Sequence, residues 1–197
     1  MKWETLGHKI LYQGFFRLEQ YKLRYDRFAG GSNTVTREIF ERGDSVAVLP
    51  YDPVRDEIVL VEQFRPGAAR HTGSPWLLEL IAGMLDKAQT PEQTARREAL
   101  EEARCELTEL FPIYRYLVSP GGTTESTTVF VARTNTSRLG GLHGLAEEHE
   151  DIKVHVFAAG QALDLLNGGK IENAVTIIGL QWLALNRSEL RRRWGCA

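Results

Sequence analysis

Apolar and polar residues alternate along the first forty positions, as in FRLEQYKLRYD and TVTREIFE, with FAGGSN between them. A period of two marks a half-buried strand, and a Gly-rich break between two such runs predicts an antiparallel pair joined by a turn. SVAVLPYD and EIVLVEQF follow, flank the turn DPVRD, and predict a buried hairpin. WLLELIAG is a further apolar run, ending at Gly83. The pattern then becomes helical. Thr90-Pro91-Glu92-Gln93 predicts a helix start, with Thr as N-cap, Pro at the first position and Gln completing a capping box. Ala95, Ala99, Leu100 and Ala103 supply its apolar side, and Glu92–Arg96 and Arg97–Glu101 are favourable i, i+4 pairs. PIYRYLV, STTVFVART and IKVHVFAA predict strands, with SPGGTTE and GLHGLAEEHED as loops between them. ENAVTIIGLQWLALNRSELRRRW predicts a closing helix whose basic end suits the helix dipole. Strands dominate and helices are inserted among them, so the expected architecture is α/β (α+β), a mixed sheet covered by helices.

Composition narrows the function classes. The chain has 197 residues, enough for one domain with a sizeable core, and a net charge of −2 with both signs mixed. No basic field is present of the kind that binds nucleic acid through its phosphates. Cys105 and Cys196 make no disulfide framework, MKWETLGHKI has no apolar run fit for a signal peptide, and WLLELIAGML is half a membrane span carrying Glu79. The expectation is a soluble, cytoplasmic protein with reduced thiols, bound neither to nucleic acid nor to membrane.

Candidate chemistry is concentrated in GMLDKAQTPEQTARREALEEARCEL. Glu98, Glu101 and Glu102 stand at i, i+3 and i+4, so all three share one face of the predicted helix, where like charges destabilise a bare helix by about 0.2–0.5 kcal/mol per pair. Two readings are open on the helix alone: a solvated acidic face, or carboxylates gathered around a hard divalent cation such as Mg²⁺ or Mn²⁺. A second acidic group, Glu147, Glu148, Glu150 and Asp151, lies in a Gly-containing loop, where catalytic groups are often carried.

The spacing resembles the Nudix hydrolase box, G-x5-E-x7-R-E-U-x-E-E-x-G-U, with U a bulky apolar residue. Gly83, Arg97-Glu98 and Glu101-Glu102 match it. Gln89 stands where the pattern has Glu, Arg104 where it has Gly, and Cys105 at the last apolar position, while Ala99 is small for its slot. Outside the box, LPYDPVRDEIVLVEQFR, PWLLELIAGM, SPGGTTES, GLHGLAEEHEDI and NAVTIIGLQWL resemble the ADP-ribose pyrophosphatase branch of that family, as does Pro120 fifteen residues after Cys105.

The resemblance implies residues 1–44 as an N-terminal, dimer-forming strand region and 45–197 as a Nudix hydrolase domain, a mixed sheet sandwiched between helices. The implied reaction is metal-dependent cleavage of ADP-ribose to AMP and ribose 5-phosphate. Metal would be held by the Ala82 carbonyl, Glu98, Glu102 and Glu150, with Glu101 as ligand or orienter of water, Arg97 as a brace and Glu148 as general base. Arg65 is expected on a phosphate or the terminal ribose, with a structural ion pair as the bland alternative. Phe15 would stack on the adenine and Arg37 and Glu38 read its polar edge; as a bland alternative, Phe15 is core and the other two are outward strand residues. Ser119, Pro120, Gly121 and Glu125 would approach the ribose, with Arg42 and Met84 as further substrate contacts. The branch shares its adenine site across a homodimer. Two rival readings are a pyrophosphatase for another nucleoside diphosphate sugar, such as GDP-mannose, and a weakly active ADP-ribose sensor suggested by Gln89 and Arg104.

Overall fold

The start of the chain forms three strands, β1 (Trp3–Gln13), β2 (Arg17–Asp26) and β3 (Ser32–Glu41), in the order β1-β2-β3, of which alternation marks β2 and β3. The computed structural model describes residues 1–196 apart from 72, 87, 146 and 148. β2 and β3 pair without interruption from Arg17↔Glu41 to Asp26↔Ser32. β1 was missing from the sequence expectation because its register against β2 slips at Thr5/Gly7 and again at Ile10/Tyr12. Each slip breaks the period of two by which a strand is recognised. By contact, Met1–Asp44 and Tyr116–Thr127 form one compact unit. Within it Phe40 donates its N–H to Gly122 O at 2.8 Å, and Asp44 Oδ1 accepts from both Ser126 N and Ser126 Oγ.

The second unit is Ser45–Arg115 with Thr128–Ala197. Its strands belong to a mixed sheet that runs β10 (Gly141–His143), β11 (Ile152–Ala158), β5 (Glu57–Phe64), β4 (Ser45–Asp52), β9 (Ser126–Arg133), β8 (Leu110–Leu117). β4 and β5 form the expected hairpin but pair only at Tyr51↔Ile58 and Asp52↔Glu57. Beyond that they part, and the run WLLELIAG fills the gap as two strands rather than one. β6 (Trp76–Glu79) pairs with β5, and β7 (Ile81–Met84) pairs with β4. Leu80 marks the break, fully buried, with its N–H donating to Thr176 Oγ1 at 3.0 Å. Gly83 therefore lies inside a strand and is followed by one more paired residue, Met84, rather than ending the run.

Strand alternation gives the sheet two buried faces. Val46, Val48, Val59, Val61, Ile152 and Val154 point toward Ala95, Ala99 and Ala103 of α1 (Pro91–Ala103). Leu80 and Tyr51 belong to the other face, where Leu80 meets Gly179 of α3 (Ala174–Arg193) and the Tyr51 ring lies 6.2 Å from Trp194. α1 opens with the expected capping box, Thr90 Oγ1 accepting from Gln93 N and Gln93 Oε1 accepting from Thr90 N. Leu100, expected on the apolar side, is 46% exposed; Thr94, Ala95, Ala99, Glu102 and Ala103 form the buried side, and Leu100, next to Ala99, is turned about 100° away from it. β10 occupies part of a segment expected to be loop, and α2 (Ala159–Asn167) has no side-chain N-cap hydrogen bond to announce it. No described helix is long and apolar enough to cross a membrane.

Candidate active site

Packing of Ala95, Ala99 and Ala103 into the core sets the rotation of α1, and that rotation decides where its glutamates go. Glu102 turns into the protein beside the alanines and is 3% exposed; Glu98 is largely covered, and Glu101 is nearer the surface. Ala82 on β7 donates its N–H to Glu102 Oε2 at 3.3 Å, so the backbone at residue 82 lies against this carboxylate. Gly83 is required by the approach of α1 to β7. A Cβ there would stand 2.7 Å from Glu98 Cγ and would collide with its carboxylate.

Arg97 braces the cluster. Its guanidinium donates to Glu98 Oε1 at 2.7 Å, to Glu101 Oε2 at 2.6 Å and to Gln89 Oε1 at 3.2 Å. Burial opposes the Arg97 charge, but Glu98 and Glu101 outweigh it and push its pKa up. Gln89 also accepts from Thr94 Oγ1 at 3.2 Å, so the amide ties the loop before α1 to the helix. Arg104 closes the helix in the left-handed region (φ 50°, ψ 30°), the conformation for which Gly is favoured, and donates its N–H to Leu100 O. Cys105 is buried against Thr134 Oγ1 at 3.2 Å, and burial pushes its thiol up to about 11.

The acidic loop also reaches this place. Glu150 Oε2 accepts from Leu145 N at 3.2 Å, and the charge of Glu150 acts on both Glu98 and Glu102. Burial raises the Glu98 pKa, with Glu101 and Glu150 adding to it against the opposing pull of Arg97. Burial, then Glu98 and Glu150, raise Glu102 well above the usual carboxylate range. Glu148, expected as general base, lies outside the described residues.

Arg65 follows β5 in extended conformation and donates its Nε to Glu79 Oε2 at 2.7 Å. Glu79 is 3% exposed and also accepts from Asn173 Nδ2, the N-cap of α3, at 2.6 Å. The structural ion pair of Arg65 is thus formed, and its positive charge is also felt at Glu102. Neither Glu79 nor Asn173, which together hold Arg65, stands out from the sequence reading. The available signal was a single carboxylate inside the apolar run WLLELIAG, which needed a buried partner. Met84, the last residue of β7, pairs with Ser45 and is 40% exposed.

The remaining expected contacts lie in the first unit. Phe15 is 85% exposed, with its ring 4.7 Å from that of Phe16, so it is not core. It lines a shallow cavity of about 250 Å³ with Gln13, Arg17, Glu41 and Arg42. Arg42 stacks over Phe16 and pairs with Glu125 Oε2 at 3.4 Å. Arg37 and Glu38 are exposed on β3, opposite Tyr21 and Gln20. Ser119 O accepts from Gly122 N and Thr123 N, closing a turn that leaves Pro120 and Gly121 exposed.

Among the described residues no three carboxylates converge into a ligand set on their own. The donor set nonetheless fits a divalent cation: hard oxygens, partly desolvated, whose mutual repulsion and raised pKa values a positive ion would relieve. Fold and site together define an α+β protein with a carboxylate cluster fit for such an ion, built on a helix braced against a sheet.

The NUDIX domain family matches residues 41–176, and the chain belongs to that family. It is 45% identical over 192 residues to the ADP-ribose pyrophosphatase of Escherichia coli, covering 97% of this chain and 92% of that protein. Identity to the ADP-ribose pyrophosphatase of Haemophilus influenzae is 47% over 195 residues, or 97% and 90% of the two chains. A GDP-mannose pyrophosphatase of Escherichia coli is 32% identical over 179 residues, covering 90% and 93%. A solved ADP compounds hydrolase shares the fold, with a TM-score of 0.71 over 100% of this chain and 98% of that one at 18% identity.

Proposed function

We propose that this chain is a divalent-cation-dependent hydrolase that cleaves the diphosphate of ADP-ribose to AMP and ribose 5-phosphate. The observation that carries the reading is the pair Glu98 and Glu102, partly buried at raised pKa and acted on by the charge of Glu150, in a chain 45–47% identical to ADP-ribose pyrophosphatases. Glu98, Glu101, Glu102 and Glu150, with the Ala82 carbonyl, would hold Mg²⁺ or Mn²⁺, which supplies positive charge against the diphosphate and makes attacking water a stronger acid. Arg97 keeps Glu98 and Glu101 aimed by bonding to both. Arg65, anchored on Glu79, adds a fixed positive charge for a phosphate. The water oxygen bonds to one phosphorus, the bridging P–O bond breaks, and Glu148 takes the water proton.

In this reading Phe15 stacks on the adenine, Arg37 and Glu38 read its edge, and Arg42, Met84, Ser119, Pro120, Gly121 and Glu125 complete substrate contact. The enzyme is a homodimer whose interface includes β1, every residue of which is exposed, among them Trp3, Leu6, Ile10, Leu11 and Tyr12. It works in the cytoplasm, consistent with two free cysteines. The 32% likeness to a GDP-mannose pyrophosphatase makes GDP-mannose the competing substrate. Turnover of a nucleotide-sugar panel with Mg²⁺ and with EDTA tests the reading. Metal-dependent release of AMP, fastest from ADP-ribose, is expected; faster release of GMP from GDP-mannose, or saturable ADP-ribose binding without hydrolysis, overturns it.

A further inference from the structure

Gln63, one residue before the end of β5, is 9% exposed, and its Nε2 is buried without a hydrogen-bond partner among the described residues. An unpaired buried donor carries the desolvation cost of the group with nothing to offset it, and in a native protein it calls for an acceptor. Trp194 Nε1 is in the same condition but lies among the rings of Tyr51 and Phe111, with no cluster of charged groups assigned to a site.

Strand register shows where Gln63 points. Val59, Val61, Gln63 and the still-extended Arg65 share one face by alternation, and Val61 packs in the core beneath α1. Across β6, Val61 pairs with Glu79 and Gln63 with Leu77. On the other side, Lys153 pairs with Glu62, and this register sets Ile152, the first residue of β11, beside Gln63. Diagonal neighbours of this kind are within reach of long side chains. Gln63 thus lies diagonal to Glu79 and on the face of Arg65, whose charge, like that of Glu150, is felt at Glu102.

We propose that Gln63 is a substrate-binding residue whose Nε2 donates a hydrogen bond to an oxygen of the substrate diphosphate, a proposal that rests on the diphosphate hydrolase reading above. A phosphoryl oxygen is an acceptor without a proton, which suits a donor group. A neutral amide adds this bond without a second cation that would compete for the carboxylates. The Glu150 carboxylate is the rival acceptor, and metal affinity distinguishes the two.

The test uses the full chain with Gln63→Leu, which removes the donor at similar volume, and Gln63→Glu, which replaces it with a charge of the wrong sign. The probes are ADP-ribose turnover, binding of methylenediphosphonate with Mg²⁺, and Mn²⁺ binding alone. For Gln63→Leu, KM for ADP-ribose and Kd for methylenediphosphonate should each rise at least tenfold, about 1.4 kcal/mol. Mn²⁺ affinity should stay within about twofold, and the unliganded melting temperature should hold or rise because no unpaired donor remains buried. Gln63→Glu should lose more, through repulsion of the diphosphate. KM and probe affinity within about twofold of wild type overturn the proposal, as does a loss that follows Mn²⁺ affinity, which would put Gln63 on Glu150. Wild-type protein that binds methylenediphosphonate in a Gln63-dependent way but does not hydrolyse ADP-ribose overturns the proposed function and supports the diphosphate contact.

Discussion

Replacing Gly83 with Ala isolates the fit between β7 and α1. Gly83 does not use the left-handed region, so on backbone grounds alone the change should stabilise the fold by about 0.4–1 kcal/mol. The new Cβ, however, would stand 2.7 Å from Glu98 Cγ and overlap its carboxylate. The strand cannot yield easily, because Val46↔Gly83 is one of four consecutive pairs between β4 and β7. Glu98 must therefore swing away and give up its 2.7 Å bond from Arg97 Nη2. Arg97 is about a third exposed, so this loss is worth about 1 kcal/mol and roughly cancels the backbone gain. The melting temperature should move by no more than a few degrees, at about 2–4 °C per kcal/mol for a chain of this size. Activity should respond very differently: a displaced carboxylate misplaces the reacting groups, and a loss of about 10²-fold in kcat, or about 2.7 kcal/mol, is expected. Steady-state kinetics at saturating Mg²⁺ beside a thermal melt reads both quantities. A kcat within about twofold of wild type would show that Glu98 has no role in the chemistry.

Three further outcomes are expected. Glu102 has a raised folded-state pKa, so its contribution to stability is present below the unfolded value of about 4.3 and is lost as pH rises through the folded one; in EDTA, Glu102→Gln should remove this loss from the pH–stability profile while lowering activity more than about 10²-fold, read by urea unfolding and kinetics. Asp52 is the opposite case: burial pushes its carboxyl up, but N–H groups of Arg55, Thr136 and Val54 outweigh burial and hold it low. Its stabilisation is present above about pH 3.9 and lost as pH falls through the folded value, so Asp52→Asn should cost about 1–3 kcal/mol at pH 7 and reduce the loss in acid. Arg104→Gly should release left-handed strain and raise the melting temperature by about 2–4 °C, since relief of about 1–2 kcal/mol outweighs glycine's entropic cost of about 0.5–1.

Periodicity revealed those elements whose pattern is unbroken. The segments SVAVLPYD and EIVLVEQF coincide with β4 and β5, and the Thr90 capping box coincides with the start of α1, because each depends on residues close in sequence. β1 escaped because its bulges disrupt the alternation, and α2 because no capping side chain marks its start. The division of WLLELIAG into β6 and β7 depends on β4 and β5 parting beneath it and on Thr176 taking the Leu80 N–H, neither of which a local pattern encodes. For the site, the shared face of Glu98, Glu101 and Glu102 was legible from spacing alone. Their burial, the approach of Gly83 to Glu98, and the Arg65–Glu79–Asn173 chain are tertiary facts that join residues as much as 94 positions apart.

Binding of Mn²⁺ to the isolated protein, followed by the loss of the free-ion electron paramagnetic resonance signal, asks whether the buried glutamates are gathered for a cation. The wild-type chain should bind Mn²⁺ saturably and Glu102→Gln at least tenfold more weakly, with an unchanged fold by circular dichroism. Equal Mn²⁺ affinity in the two proteins would mean that the cluster on α1 is not the cation site.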